Sequence, residues 1–312
     1  MNTTDCSNHV SPQKFILLGL SEDPYRQVIC FLLFLVMYIL KVLGNLLLIV
    51  VVRINPNLQT PMYYLLRNLS VIDFGFSSSV VPEILVNTLS KDRSISLVGC
   101  AVQMFAYVAL GETECILLAV MAYDRFAAIC KPLHYNTIMN KTLCHYLVAG
   151  SWSFCGITSA IHVALIFMMP YFRSIHINHF FCEIPPLLQI SCRDTRLNEV
   201  VVFVSAVIIV VCSFLLTIIS YLNIISTILK IRSSQGRQKA FSTCSSHLMV
   251  VVLYFGTIMF MYMRPSSAHS PETDKTVSMI YTAVTPMLNP FIYSMRNKEV
   301  KGTVKKSFFK LL

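Results

Sequence analysis

Apolar residues fill seven stretches of this chain, each long enough for the about 20 residues that a helix needs to cross a bilayer core. Polar residues gather in the short links between them. The pattern predicts spanning helices near residues 29–52, 62–89, 97–130, 143–169, 200–229, 240–263 and 276–295. The last three contain no Asp, Glu, Lys or Arg. No repeat, low-complexity run or soluble domain interrupts the series, so 29–296 reads as one membrane domain. The expected fold class is an all-α membrane protein, a seven-transmembrane helix bundle.

The two ends differ from this pattern. Residues 1–28 are polar and lack the apolar run of a cleavable signal, so the first helix is expected to insert the chain itself. In 297–312, Val300, Val304, Phe308 and Leu311 recur at three- and four-residue spacing, with Lys301, Lys305 and Lys310 off that stripe. That spacing predicts a short amphipathic C-terminal helix lying on membrane lipids. It has no cysteine for palmitate.

Composition agrees: 55% of the residues are hydrophobic, 13% are charged and the mean hydropathy is +0.65. Charge adds orientation. The links near 53–67, 125–141 and 230–239 and the tail hold 15 of the 25 Lys and Arg residues but only two acids, Asp124 and Glu299. Positive loops stay in the cytoplasm. The amino terminus is therefore expected outside, the carboxyl terminus inside, and the net charge of +10 needs no nucleic acid to explain it. Asn2 opens a glycosylation sequon on the outer side. Asn68 and Asn140 open two more at or inside the membrane, where they are expected to be silent.

Charged groups in hydrocarbon are expensive and tend to mark function. Once the charges of the two sides are assigned, four are left inside the membrane: Lys41, Asp73, Glu112 and Glu114. A fifth feature is the adjacent pair Asp124–Arg125 at the end of the third stretch, inside Met121-Ala-Tyr-Asp-Arg-Phe-Ala-Ala-Ile-Cys130. On position alone that pair reads either as a switch or as charges reaching the headgroups. Metal-ligand clusters of the His-Glu-x-x-His kind and nucleophile motifs are absent, so no enzyme is expected. A transporter would show repeat symmetry and broken midplane helices, and neither is visible.

Four motifs then coincide in order and spacing. Pro61-Met-Tyr-Tyr-Leu-Leu-Arg-Asn-Leu-Ser70 opens the second helix and the Asp124–Arg125 run closes the third. Lys239-Ala-Phe-Ser-Thr-Cys-Ser-Ser-His-Leu248 opens the sixth, and Pro286-Met-Leu-Asn-Pro-Phe-Ile-Tyr-Ser-Met-Arg-Asn297 closes the seventh. Together they resemble the vertebrate olfactory receptors, a branch of the rhodopsin-like G-protein-coupled receptors, over essentially the whole chain.

The resemblance implies a plasma-membrane receptor that binds a small volatile odorant and activates a heterotrimeric G protein of the olfactory, stimulatory type, raising cyclic AMP. A rhodopsin-like receptor for an amine or a peptide is the alternative. Asp124 and Arg125 match the family's cytoplasmic switch, and Tyr221 and Tyr293 match tyrosines that swing toward the arginine. Asn289 and Pro290 belong to the Asn-Pro-x-x-Tyr segment, where the proline removes a backbone hydrogen bond and provides a hinge.

Further roles follow from the same resemblance. Asp73, Glu114 and Asn289, with Asn45 nearby, suggest a sodium site or a proton-sharing pair; a polar network without an ion is the competing reading. Glu112 lies about 200° around the helix from Glu114 and is expected to face other partners, as a contact for a cationic odorant or as a carboxyl bonded to a neighbouring helix. Lys41, one turn from Asn45, either pairs with an internal acid or reaches outward. The implied cavity lining is Met104, Tyr107, Val108, Gly111, Glu112, Val202, Ser205, Ile209, Phe255, Ile258, Met259, Tyr262, Met279 and Thr282. Phe255 stands where many members carry Tyr, with Tyr254 just before it; if the sixth helix pivots on this aromatic, its hydroxyl is missing here. Cys100 and Cys182 match the family's disulfide, with Cys192 as an alternative partner and Cys6 as a further thiol outside. His176, His179 and Cys182 recur every three residues and resemble a metal motif, which an oxidised Cys182 would not support.

Overall fold

The computed structural model describes residues 13–20, 23–90, 92–168, 174–192, 194–262, 271–280, 282, 289 and 292, without the side chains of 239, 243, 261, 262, 271, 272 and 274. Outside this range lie Asn2, Cys6, Pro290, Tyr293 and the tail 297–312. Among the described residues, six helices are long and apolar enough to span a membrane: α1 (Pro24–Ile54), α2 (Pro61–Leu89), α3 (Leu97–Cys130), α4 (Lys141–Phe167), α5 (Arg196–Leu229) and α6 (Ser234–Tyr262). The described part of the seventh begins with α7 (Pro271–Met279). The molecule is a helical bundle of the predicted seven-transmembrane class.

Local chemistry sets the helix starts. Asp23 caps α1, accepting from the Tyr25 N–H at 3.0 Å, and Pro24 fills the first turn, where its missing N–H costs nothing. Ser96 caps α3 through the Gly99 N–H, and Asn140 caps α4 through the Leu143 N–H at 2.8 Å. That second cap engages one of the inner sequons. Ser233 accepts from the Gly236 N–H at the start of α6. Several helices overrun the apolar stretches that predicted them, α5 by four residues and α6 by six at their starts, because a helix continues past the hydrocarbon edge for as long as its caps allow.

α3 runs through the centre and packs against α2, α4 and α5, while α1 packs on α2. Leu65, Leu69, Ile72, Leu117, Leu118, Met121 and Val250 are buried in the main core. Large apolar residues such as Leu32, Leu33, Leu43, Ile219 and Leu222 are exposed on the outer faces of α1 and α5. In water such a surface would be a liability; on a multi-pass membrane protein it faces lipid. Pro82 lies inside α2, and α5 carries a π-helical turn at Val207–Val211.

A small sheet departs from the all-helical expectation. Strand β1 (Lys14–Leu17) pairs antiparallel with β2 (Ser94–Ser96) and parallel with β3 (His176–Ile177). Phe15 and Leu17 point inward and are fully buried with Met104, Cys100, Cys182 and Leu187. The polar composition of 1–28 hid this strand: four residues of alternating burial are too few to register against the flanking helices. The sheet closes one end of the bundle.

Candidate functional site

Beneath the sheet, a cavity of about 90 Å³ opens between α2, α3, α4, α5 and α6. Of the expected lining, Tyr107, Val108, Gly111, Glu112, Val202, Ser205, Ile209 and Ile258 border it. The π-helical turn of α5 includes Ile209 and Val210, both on the cavity wall. An extra residue in that turn rotates the following side chains relative to a regular helix.

Five expected lining residues lie elsewhere. Met104 is buried one turn outward under Phe15 and Leu17. Phe255 packs on Phe214, ring centroids 5.5 Å apart, and Met259 packs on the main core. Met279 packs beside Phe34 and Val80, and Thr282 donates to the Ser278 carbonyl at 2.6 Å. The cavity leans toward α4 and α5, so positions on α7 are not among its described lining. The Tyr262 side chain lies outside the described residues.

Sequence reasoning missed Phe76, His162, Ile184 and Tyr254 on the wall. Tyr254 supplies a hydroxyl one position before Phe255. Its OH donates to the Gly111 carbonyl at 2.6 Å, so α6 is tied to α3 from the position just before Phe255.

The two neighbouring acids of α3 take different partners, as their angular separation requires. Glu112 accepts a short hydrogen bond from Thr158 on α4. Its other oxygen lies 3.9 Å from His162 Nδ1, and His162 Nε2 contacts the Ser205 hydroxyl at 2.9 Å. One polar strip therefore joins α3, α4 and α5 on an otherwise apolar wall.

Glu114 faces inward toward Asp73 and Asn289. The Asn289 amide donates to both Asp73 oxygens, at 3.2 and 3.0 Å, and to Glu114 Oε1 at 3.4 Å. Lys41 points inward, though onto a backbone carbonyl and not onto an acid. It is completely buried, and its Nζ donates to the Thr282 carbonyl at 2.5 Å.

At the end opposite the sheet, Asp124 and Arg125 form an ion pair, with Nη2 2.6 Å and Nε 3.1 Å from Oδ2. Asp124 has no exposure, and the Arg125 side chain has 13%. Tyr135, on the short helix Tyr135–Ile138 after α3, donates to Asp124 Oδ1 at 2.7 Å. Burial and the Asp124 carboxylate push the Tyr135 phenol up, so it stays a donor. Tyr221 is turned to α6 instead of Arg125: its OH bonds to the Cys244 carbonyl at 3.2 Å and contacts His247 Nδ1 at 2.8 Å. Tyr135 and His247 were not singled out from sequence. His247 lies within the quoted motif that opens the sixth helix.

Under the sheet, Cys100 and Cys182 are joined by a disulfide, so the Cys100–Cys192 alternative is not formed. Cys182 is therefore no thiolate, and no group of three metal-ligating side chains occurs among the described residues. Glu183 instead accepts from Tyr107 on α3 and Ser278 on α7, both at 3.2 Å. Burial and the Lys275 charge push the neighbouring His179 imidazole down to about 3, against a backbone hydrogen bond at Phe181, and Glu183 Oε2 lies 3.3 Å from its Nε2.

Comparison with known proteins accords with this arrangement. The olfactory receptor family profile matches residues 34–310. Olfactory receptor 5AR1 of Mus musculus is 47% identical over 303 residues, 97% of each chain. Olfactory receptor 10A7 of Homo sapiens is 46% identical over 302 residues, 97% of this chain and 96% of its own. Olfactory receptor 5AP2 of Mus musculus is 48% identical over 299 residues, 96% of this chain and 94% of its own. These relatives are receptors, not enzymes. This chain, a membrane bundle with a largely apolar cavity above a buried acid–arginine pair and matched along its length by these proteins, belongs to the olfactory receptor family.

Proposed function

We propose that this protein is a plasma-membrane odorant receptor that binds a small volatile ligand in the α3–α6 cavity and activates a heterotrimeric G protein of the olfactory, stimulatory type, raising cyclic AMP. The observation that carries this reading is the pairing of Arg125 with Asp124 at 2.6 Å while Tyr221 is held by α6. That is a closed arrangement with the parts of an open one beside it. The amino terminus would lie outside, on the side of the sheet and the disulfide, where disulfides persist. The basic links and Arg125 would face the cytoplasm.

A ligand shifts such an equilibrium only by binding one arrangement better than the other. The cavity is bordered by Gly111 and Tyr254, the two ends of the α3–α6 hydrogen bond. A ligand there is placed to alter the α3–α6 spacing, and α6 carries the His247 that holds Tyr221. Release of Tyr221 would give Arg125 a partner other than Asp124.

The test is Arg125→Ala in cells carrying a cyclic AMP reporter, screened with an odorant panel at matched surface expression. Loss of response in a normally folded protein is expected; full cyclic AMP signalling by that variant sinks the assignment. The alternative is a receptor for an amine or a peptide. Glu112 on the cavity wall is the observation that favours an amine, and the same panel with amines included separates the two.

A further inference from the structure

On the side of the sheet, the α3–α6 cavity lies under a tied segment. Ile184, just past the disulfide residue Cys182, stands on the cavity wall, and Glu183 between them is bonded to Tyr107 of α3 and Ser278 of α7. The α4–α5 side is built differently. There a second, wider hollow of about 320 Å³ lies between Phe154 and Thr158 of α4 and Val204, Ser205, Ile208 and Ile209 of α5. Phe154, Val204 and Ile208 are exposed on the outer face of the bundle. This groove therefore opens toward lipid tails.

The groove and the cavity share a wall. Ser205 and Ile209 border both. Across that wall, Thr158 on the groove donates to Glu112 on the cavity, and Ser205 contacts His162 Nε2 at 2.9 Å. His162 is buried, and its Nδ1 has no hydrogen-bond partner, since Glu112 Oε1 is 3.9 Å away. A buried polar atom left unbonded is costly, and a ligand hydroxyl or carbonyl group arriving here finds bonding groups along the whole wall. The π-helical turn of α5 lies at the same level, with Ile208 on the groove and Ile209 and Val210 on the cavity.

We propose that the α4–α5 groove is a second ligand site, an antechamber in which small apolar ligands carrying a hydroxyl or carbonyl group collect from the bilayer before passing between Thr158 and Ser205 into the cavity. The inference rests on the reading of that cavity as the ligand site. Each methylene favours hydrocarbon over water by about fourfold, so such a ligand is concentrated in the lipid that the groove faces. As the bonds to Glu112 and His162 open, the ligand's polar group exchanges onto Thr158 and Ser205 and crosses the wall without losing its hydrogen bond. A route sets rates and leaves equilibria alone: narrowing it slows entry and exit alike and keeps the affinity of the cavity unchanged.

The experiment is time-resolved photolabelling of the full-length receptor in lipid nanodiscs, with a medium-chain aliphatic alcohol carrying a diazirine as the probe. Samples are flashed at increasing delays after mixing, and labelled peptides are identified by mass spectrometry. The groove segment of α5 is expected to label first and the cavity segment of α3 afterwards. Val204→Trp and Ile208→Trp narrow the groove at exposed positions outside the cavity's described lining. Each should slow cavity labelling by about tenfold, and slow its loss into excess lipid vesicles equally, with the same final level. Ile219→Trp, on the lipid face of α5 away from the groove, should label as wild type does. Cavity labelling at the wild-type rate in both narrowed variants overturns the proposal. A groove that takes up no probe also overturns it, leaving the groove to lipid chains. A wild-type cavity that never labels overturns the reading of the cavity itself, which tells that failure apart from failure of the route.

Discussion

Tyr135 donates its hydroxyl to Asp124 Oδ1 at 2.7 Å, so the carboxylate that holds Arg125 through one oxygen is itself held through the other. A hydrogen bond to a charged group contributes about 1.5–3 kcal/mol, and a two-state equilibrium moves tenfold for each 1.4 kcal/mol. Tyr135→Phe removes only this bond. Ligand-free cyclic AMP should rise several-fold at equal surface expression. Unchanged basal signalling would mean that Tyr135 does not hold the pair closed.

Tyr254 ties α6 to α3 through the Gly111 carbonyl. Tyr254→Phe keeps the ring, which packs edge-on to Phe255 with centroids 5.9 Å apart. It leaves the carbonyl without its donor, a loss of about 1 kcal/mol. The expected result is a right- or left-shifted odorant dose–response of about fivefold with little change in folding. A response identical to wild type would show that the α3–α6 bond does not report ligand binding.

Glu112 puts a carboxylate on the cavity wall, with one oxygen on Thr158 and the other 3.9 Å from His162. Glu112→Gln retains an oxygen for Thr158 and removes the charge. Potency toward amines should fall at least about tenfold, the 1–3 kcal/mol typical of one lost charge-assisted contact, while alcohols and esters keep theirs. An amine agonist that retains its potency rules out Glu112 as its anchor.

His179 predicts the direction of a pH effect. Its imidazole has an ordinary value of 6.5 but is pushed down to about 3 in the folded protein. The unfolded chain therefore binds more protons between these values. The stability that depends on neutral His179 is complete above about pH 6.5 and is lost as pH falls toward 3, by at most about 1.4 kcal/mol per pH unit. Unfolding midpoints measured from pH 7.5 to 5.5 should decline, and His179→Asn should flatten that decline. Equal slopes for the two proteins would place the acid sensitivity in another group.

The outcome at each residue follows from how far apart its partners are in sequence. Apolar length alone located six spanning helices, because a bilayer imposes one thickness on every crossing. The 200° between Glu112 and Glu114 was enough to separate their partners, since both lie on one helix. The strand Lys14–Leu17 was not foreseen: its pairing partners are some 80 and 160 residues away, and short strands carry almost no periodic signal. Likewise Phe255 seemed the natural cavity aromatic, yet the rotation of α6 turns it to Phe214 and gives the hydroxyl to Tyr254.

Hydrophobic length, positive-charge asymmetry and four ordered motifs thus settled class, spans and family without coordinates, because each is a property of local composition or spacing. Which way Lys41 points, which wall the cavity favours, and whether Tyr221 meets Arg125 or His247 were decided only by the packed bundle. Those contacts join α1 to Thr282, α3 to α4 and α5 to α6. A side chain's partner across such an interface depends on helix rotation and crossing, and a single helical turn of spacing leaves both undetermined.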